Sequence, residues 1–199
     1  MVLGSKRVLK GLALSSLMAF GAVSVAQADE KNGFFLGLGY QQGKAGGDAY
    51  RAPLTSGMPL YGLGAQIGGV GFLNKWFGGQ VYGFFDYDQS NRYGPNSNDK
   101  WNMYTYGGAA DMIVNLIATS PFSFGLVGGI QLAGNTWQYA GVADHTGFQF
   151  LFNVGGRIRM GEHSALQAGI KFPMIPQKFG NGFSMTRHYA WYVNYVFTF

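Results

Sequence analysis

His188-Tyr-Ala-Trp-Tyr-Val-Asn-Tyr-Val-Phe-Thr-Phe199 ends the chain with two unlike faces. Every second residue back from the end is Phe199, Phe197, Tyr195, Val193, Trp191 and Tyr189, an apolar and almost wholly aromatic series. The interleaved set, Thr198, Val196, Asn194, Tyr192, Ala190 and His188, is mixed and mostly polar. A period of two held over this length describes a strand, because successive side chains leave opposite sides of the pleat. Its two sides face different surroundings. The edge strand of a soluble β-sandwich and a wall standing in lipid both show this pattern, so the rest of the chain must decide between them.

The opposite end indicates export. Lys6, Arg7 and Lys10 precede an uncharged, largely apolar run over 11–25, and Ala26-Gln27-Ala28 supplies a small-x-small cleavage site. This is the pattern of a secretory signal peptide over 1–28, leaving a single mature domain over 29–199. An N-terminal membrane helix fits less well, because Gly21 and the Ala-x-Ala site interrupt it. Taking away the three leader cations lowers the formal net charge from +5 to +2, and no Lys/Arg cluster remains. The basic composition therefore does not point to a nucleic-acid partner. Cysteine is absent, which excludes disulfides and a lipid anchor on an N-terminal Cys.

Between the two ends, segments of about ten residues alternate in polarity and are separated by turn residues, the sequence signature of an outer-membrane barrel. Segment 33–41 sets Phe34, Leu36, Leu38 and Tyr40 against Phe35, Gly37, Gly39 and Gln41. In 60–72, Tyr61, Leu63, Ala65 and Ile67 oppose Gly62, Gly64 and Gln66. Past Gly68-Gly69 the apolar positions change parity to Val70 and Phe72. An inserted residue flips the faces, so a β-bulge is expected there. Segment 77–88 turns Val81, Phe85 and Tyr87 outward and Gln80, Tyr82, Phe84, Asp86 and Asp88 inward. Segment 101–116 turns Tyr104, Tyr106, Ala110, Met112, Val114 and Leu116 outward, with Asp111 and Asn115 inward.

The remaining segments continue the pattern. In 122–133, Phe122, Phe124, Leu126, Ile130 and Leu132 oppose Ser123, Gly125 and Gln131. In 147–160, Phe148, Phe150, Phe152, Val154, Ile158 and Met160 oppose Gln149, Asn153, Arg157 and Arg159. In 164–172, Leu166, Ala168, Ile170 and Phe172 oppose Gln167 and Lys171. With the terminal strand this makes eight, joined by connections that alternate long and short. The long ones (42–59, 89–100, 134–146 and 173–187) all fall on one side, as barrel loops do outside the cell when both termini are periplasmic. Tyr40, Tyr61, Tyr87, Trp101, Trp137 and Trp191 lie near the outer rim, and Trp76, Phe77, Phe122 and Phe199 near the inner one, as interfacial girdles would. The expected fold is all-β: an eight-stranded antiparallel transmembrane β-barrel of up-and-down meander order, in the outer membrane of a Gram-negative bacterium.

Three stretches resemble the Helicobacter outer-membrane protein family (the Hop- and Hor-type proteins). They are Asn32-Gly33-Phe34-Phe35 through Gly39-Tyr40-Gln41-Gln42-Gly43, then Ile170-Lys171-Phe172-Pro173-Met174-Ile175-Pro176, and finally Tyr192 through Phe199. The terminal pattern is shared by many outer-membrane barrels, whereas the Lys-x-Pro-x-Ile-Pro element is more particular. The family includes host-cell adhesins and porins, so the resemblance implies a surface barrel. This chain lacks the long extracellular domain that carries adhesion in the large members. The resemblance to outer-membrane barrels also implies that Phe199, Phe197 and Tyr195 are read by the barrel-insertion machinery.

Three functions follow from the residues. A barrel of eight strands has an interior just wide enough for side chains, so Asp86, Asp88, Asp111, Arg157, Arg159 and Lys171 are expected to form a plug of ion pairs with the neighbouring amides. The main reading is then a structural or adhesin-like barrel. Its partners are outer-membrane lipid and lipopolysaccharide, with an extracellular or host-surface ligand at the loops, where Lys44, Asp48, Tyr50 and Arg51 stand. The second reading is a narrow porin-like channel lined by those same charges. The third, a lipid A-modifying enzyme, is weak. His163-Ser164 beside Glu162 sits on a turn that cannot align nucleophile and base, and His188 near Ser184 and Asp144 is a remote second candidate. No catalytic, cofactor-binding or metal residue is assigned, and no cofactor is expected.

Overall fold

The computed structural model describes residues 30–46, 57–90, 100–139, 144–179 and 184–199. The expected leader lies outside the described residues, as do the middles of the four long connections, with Asp48, Tyr50 and Arg51 among them. The strands are β1 (Gly33–Ala45), β2 (Met58–Phe72), β3 (Phe77–Ser90), β4 (Trp101–Ala118), β5 (Phe122–Tyr139), β6 (His145–Met160), β7 (Ser164–Pro173), β8 (Gln177–Lys178), β9 (Ser184–Met185) and β10 (Arg187–Thr198). Eight of them form a closed antiparallel barrel in the order β1-β10-β7-β6-β5-β4-β3-β2, while β8 and β9 pair only with each other. Closure leaves none of these eight strands with an unpaired edge, the condition a sheet must meet in lipid.

The terminal strand makes that closure. β10 runs against β1 with Leu36 opposite Phe197 and Leu38 opposite Tyr195, and the Phe199 N–H donates to the Phe34 carbonyl at 2.8 Å. The aromatic face points away from the barrel, as its alternation predicts. Leu38 (69 % exposed), Leu63 (67 %) and Met112 (62 %) show how apolar that outer wall is. Surface of this kind on a closed sheet belongs in hydrocarbon. Three short turns lie at the end that holds Glu30 and Phe199. One is fixed by Asn74, whose Oδ1 accepts the Trp76 and Phe77 N–H groups at 2.8 and 3.0 Å. Another turns at Gly161, whose φ of 76° suits glycine.

The structure corrects four expectations. No bulge interrupts β2: its register against β1 and β3 is continuous through Gly68 and Gly69. Val70 and Phe72 therefore keep the inward parity of Gln66 and are buried inside. Apolar residues on the inner face mimicked a change of face. Register shifts occur instead on β4, between Asn115 and Ile117, and on β10, between Arg187 and Tyr189, opposite Lys44 and Ala45. Thirdly, much of the expected loop 134–146 is strand, since β5 runs to Tyr139 and β6 starts at His145. Lastly, Trp137 is not in the girdle. It is 2 % exposed, inside the barrel, with Phe179 packed against it at a ring-centroid distance of 6.5 Å and, at 6.1 Å, Trp101, likewise expected in the girdle but sharing the inward parity of Met103. Tyr40 and Trp191, 5.4 Å apart, do sit on the outer wall near the loop end.

Candidate functional site

The lumen gathers the charged side chains, and three devices let so narrow a space hold them. Inward glycines make room first. A Cβ on Gly64 would stand 2.5 Å from the Asp86 carboxylate, and one on Gly129 would stand 2.6 Å from that of Asp111. These carboxylates lean across the neighbouring strand because no side chain opposes them there. The second device is amide pairing. Gln80 Nε2 donates to Asp111 Oδ2 at 2.8 Å, Gln167 Nε2 donates to Gln80 Oε1 at 3.0 Å, and Gln41 Nε2 donates to Asp88 Oδ2 at 2.9 Å.

The third device is charge pairing. Lys171 Nζ lies 2.6 Å from Asp86 Oδ2, and also donates to Gln41 Oε1 at 3.3 Å. Its ammonium faces the rings of Phe84 and Tyr192 at 5.4 and 5.6 Å. Arg187 Nη2 approaches Asp88 Oδ2 at 3.4 Å and its Nη1 donates to Thr105 Oγ1 at 3.3 Å. At the opposite end Arg157 Nη1 meets Glu30 Oε2 at 2.6 Å, with Arg159 Nε 3.5 Å from Glu30 Oε1. Buried charges need partners of this quality to offset lost hydration. All six charges expected inward are inward, and all but Asp111 have an oppositely charged partner within ion-pair distance.

Glu30 and Arg187 escaped the sequence reading. Glu30 precedes the first alternating segment, so strand parity does not reach it. Arg187 has the outward parity of Tyr189, and the register shift between Lys44 and Ala45 opposite it turns it inward. The one available signal was Arg187's position directly before a polar face already rich in large side chains.

Apolar layers bracket the Lys171–Asp86 and Arg187–Asp88 pairs. Towards the terminal end, Phe35, Val70, Phe72, Ile113, Val127 and Val196 fill the section. Towards the loop end, Met58, Leu60, Met103, Trp137 and Met185 form a second cluster, with Phe179 of the β8–β9 connection lying on it. The buried indole N–H of Trp137 is satisfied by Asn135 in the amide orientation that accepts it at 3.0 Å while donating to Thr105 Oγ1 at 2.7 Å. Between the layers a cavity of about 10 Å³, touching Tyr82, Asp86, Gln131 and Lys171, has room for a single water.

The residues weighed for catalysis stay apart. Ser164 Oγ is hydrogen-bonded to the Tyr195 hydroxyl at 2.8 Å, while His163 Nδ1 lies 2.6 Å from the Thr198 carbonyl and its ring stacks on Phe197. His163 and Ser164 are thus each engaged with β10 rather than with one another. Asp144 accepts from Gln138 Nε2 at 2.7 Å, and His188 is buried at the loop end. Among the described residues no three His, Asp or Glu side chains are grouped to hold a metal ion.

No curated protein matches the sequence. Among solved structures, the attachment invasion locus protein Ail of Yersinia pestis is 14 % identical with a TM-score of 0.48, covering 85 % of this chain and 100 % of Ail. Neisserial surface protein A is 16 % identical with a TM-score of 0.49, covering 85 % and 100 %. The translocator domain of the autotransporter NalP from Neisseria meningitidis is 11 % identical with a TM-score of 0.26, covering 97 % and 98 %. The model of the Helicobacter outer membrane protein family matches residues 64–199, from within β2 to the last residue, and the chain belongs to that family.

Proposed function

We propose that this protein is a closed outer-membrane barrel whose work is done by its loops, in an adhesin-like or structural role at the cell surface. The observation that carries the reading is the lumen. All its inward charges but Asp111 are in ion pairs, an apolar layer lies on each side of the Lys171–Asp86 and Arg187–Asp88 pairs, and the cavity between has the size of one water. Ions or solutes would have to displace packed side chains to pass, which disfavours the porin-like alternative. In this reading both termini and the short turns at Asn74, Ser120 and Glu162 are periplasmic. The leader 1–28 has been removed, and Phe199 ends the segment read by the insertion machinery. The loop end then stands among lipopolysaccharide and presents its connections to an extracellular ligand. No reaction is assigned, a choice supported by the separate engagement of His163 and Ser164.

Two measurements test this. Single-channel recording of the refolded protein in planar bilayers should show negligible conductance; a steady open level would favour the channel. Replacing residues 47–56 and 91–99 by short Gly-Ser linkers should abolish attachment of expressing cells to host surfaces without lowering the amount of folded barrel. Unchanged attachment would remove the adhesive role.

A further inference from the structure

Residues 30–32 cross the mouth at the terminal end, and the lumen receives Glu30 as a ligand. Glu30 is 4 % exposed, and its carboxylate accepts from three side chains on three adjacent strands and lies within ion-pair distance of a fourth. On the Oε2 side is Arg157 Nη1, at 2.6 Å. Asn115 Nδ2 at 2.9 Å, Ser123 Oγ at 2.5 Å and Arg159 Nε at 3.5 Å approach Oε1. The barrel wall holds these donors by other means. Arg159 also donates to the Gly161 and Thr119 carbonyls at 2.8 and 3.1 Å. Asn115 donates to the Lys75 carbonyl at 2.9 Å, and Arg157 lies 5.3 Å from the centre of the Phe72 ring. The segment itself has a separate anchor, since Asn32 Oδ1 accepts the Phe72 N–H at 2.7 Å.

Among the described residues no wall acid shares this chamber. Asp111 is the inward acid two interior rows away on β4, and Ile113 of β4 and Val127 of β5 fill the row between. Two guanidinium groups on one face of β6 are thus buried with an acid that the wall does not supply. A fork of Arg donors with an amide and a hydroxyl suits the flat, two-oxygen shape of a carboxylate.

We infer that the mouth of the barrel at its terminal end is a carboxylate-binding site, filled in cis by Glu30 and able to take a free small carboxylate when that side chain is missing. The site makes the N-terminal segment part of barrel closure. It stands independently of what the loops bind, because it lies at the opposite end and is read through stability.

Glu30→Ala removes a CH₂–COO⁻ group, so acetate restores nearly the missing atoms. The variant, recovered from outer membranes or refolded, should unfold at lower urea than the parent. Sodium acetate should restore the midpoint saturably. The unfolding constant should fall about elevenfold at an acetate concentration ten times Kd, by the factor 1 + [L]/Kd. Sodium chloride at equal ionic strength should leave it unchanged. The double variant Glu30→Ala, Arg157→Met should lose the acetate response. If Glu30→Ala does not fold in chloride, its refolded yield with acetate gives the same reading, and folding promoted by acetate alone supports the site. Equal recovery by chloride, no effect of Glu30→Ala on stability, or a variant that acetate cannot rescue would each overturn it.

Discussion

Lys171→Met removes the ammonium at the centre of the lumen while leaving an unbranched stem of similar length. Asp86 would then be a buried carboxylate whose 2.6 Å partner is gone, with side-chain exposures of 7 % for Lys171 and 5 % for Asp86 in the parent. Breaking a buried pair from one side costs about 3–5 kcal/mol, against ~1 kcal/mol or less for an exposed pair. The rings of Phe84 and Tyr192 also lose their cation, adding to the loss. Asp86→Asn should cost less, because Lys171 keeps the Gln41 carbonyl oxygen and both rings. The double variant should be more stable than the two single losses predict, with a coupling of about 0.5–3 kcal/mol. Urea unfolding in lipid measures all four proteins. A loss below ~1 kcal/mol for Lys171→Met, with additive singles and a new single-channel current, would refute the paired plug and make the lumen a hydrated path.

Deleting Phe199, or replacing it by Asp, should lower the heat-modifiable protein recovered from outer membranes, since deletion removes the N–H that closes the β1–β10 seam at Phe34 and Asp replaces a ring packed on Phe34 and Phe197 by a charge; normal insertion of both variants would end the idea. Single cysteines at Asn74, Ser120 and Glu162 should resist a membrane-impermeant maleimide on intact cells, whereas one at Pro95 should label, and the reverse pattern would invert the barrel. Trp137→Ala should destabilise by about 3–5 kcal/mol in urea unfolding, as buried aromatic truncations do. Trp191→Ala, on the lipid-facing wall, should lose clearly less, and equal losses would contradict the burial of Trp137. Gly129→Val should reduce the folded yield in heat-modifiability assays, because its Cβ would meet the Ala110 carbonyl and the Asp111 carboxylate; a parental yield would mean the wall can yield there.

Which side each segment turns to lipid was legible in the sequence, because lipid tolerates only apolar side chains and the pleat gives every outward residue a fixed parity. Leu38, Phe85, Met112, Phe152 and Phe197 all lie on the wall where alternation put them. Strand number, meander order and the six inward charges follow from the same rule. Alternation fails where both faces are apolar, since Val70 and Phe72 inside the barrel look like a strand that has changed sides. It fails equally where a residue enters the lumen from outside a strand's regular run. Glu30 comes from the segment ahead of β1, Arg187 through a register shift, and Phe179 from the connection after β8. Residue type places Trp101 and Trp137 at an interface, yet their parity turns them into the cap over the lumen. Pairing of charges across the barrel depends on which strands closure brings face to face and on how far glycine lets a carboxylate lean. A linear chain carries no record of either distance, so Lys171 found Asp86, and the two arginines of β6 found Glu30, only in the closed cylinder.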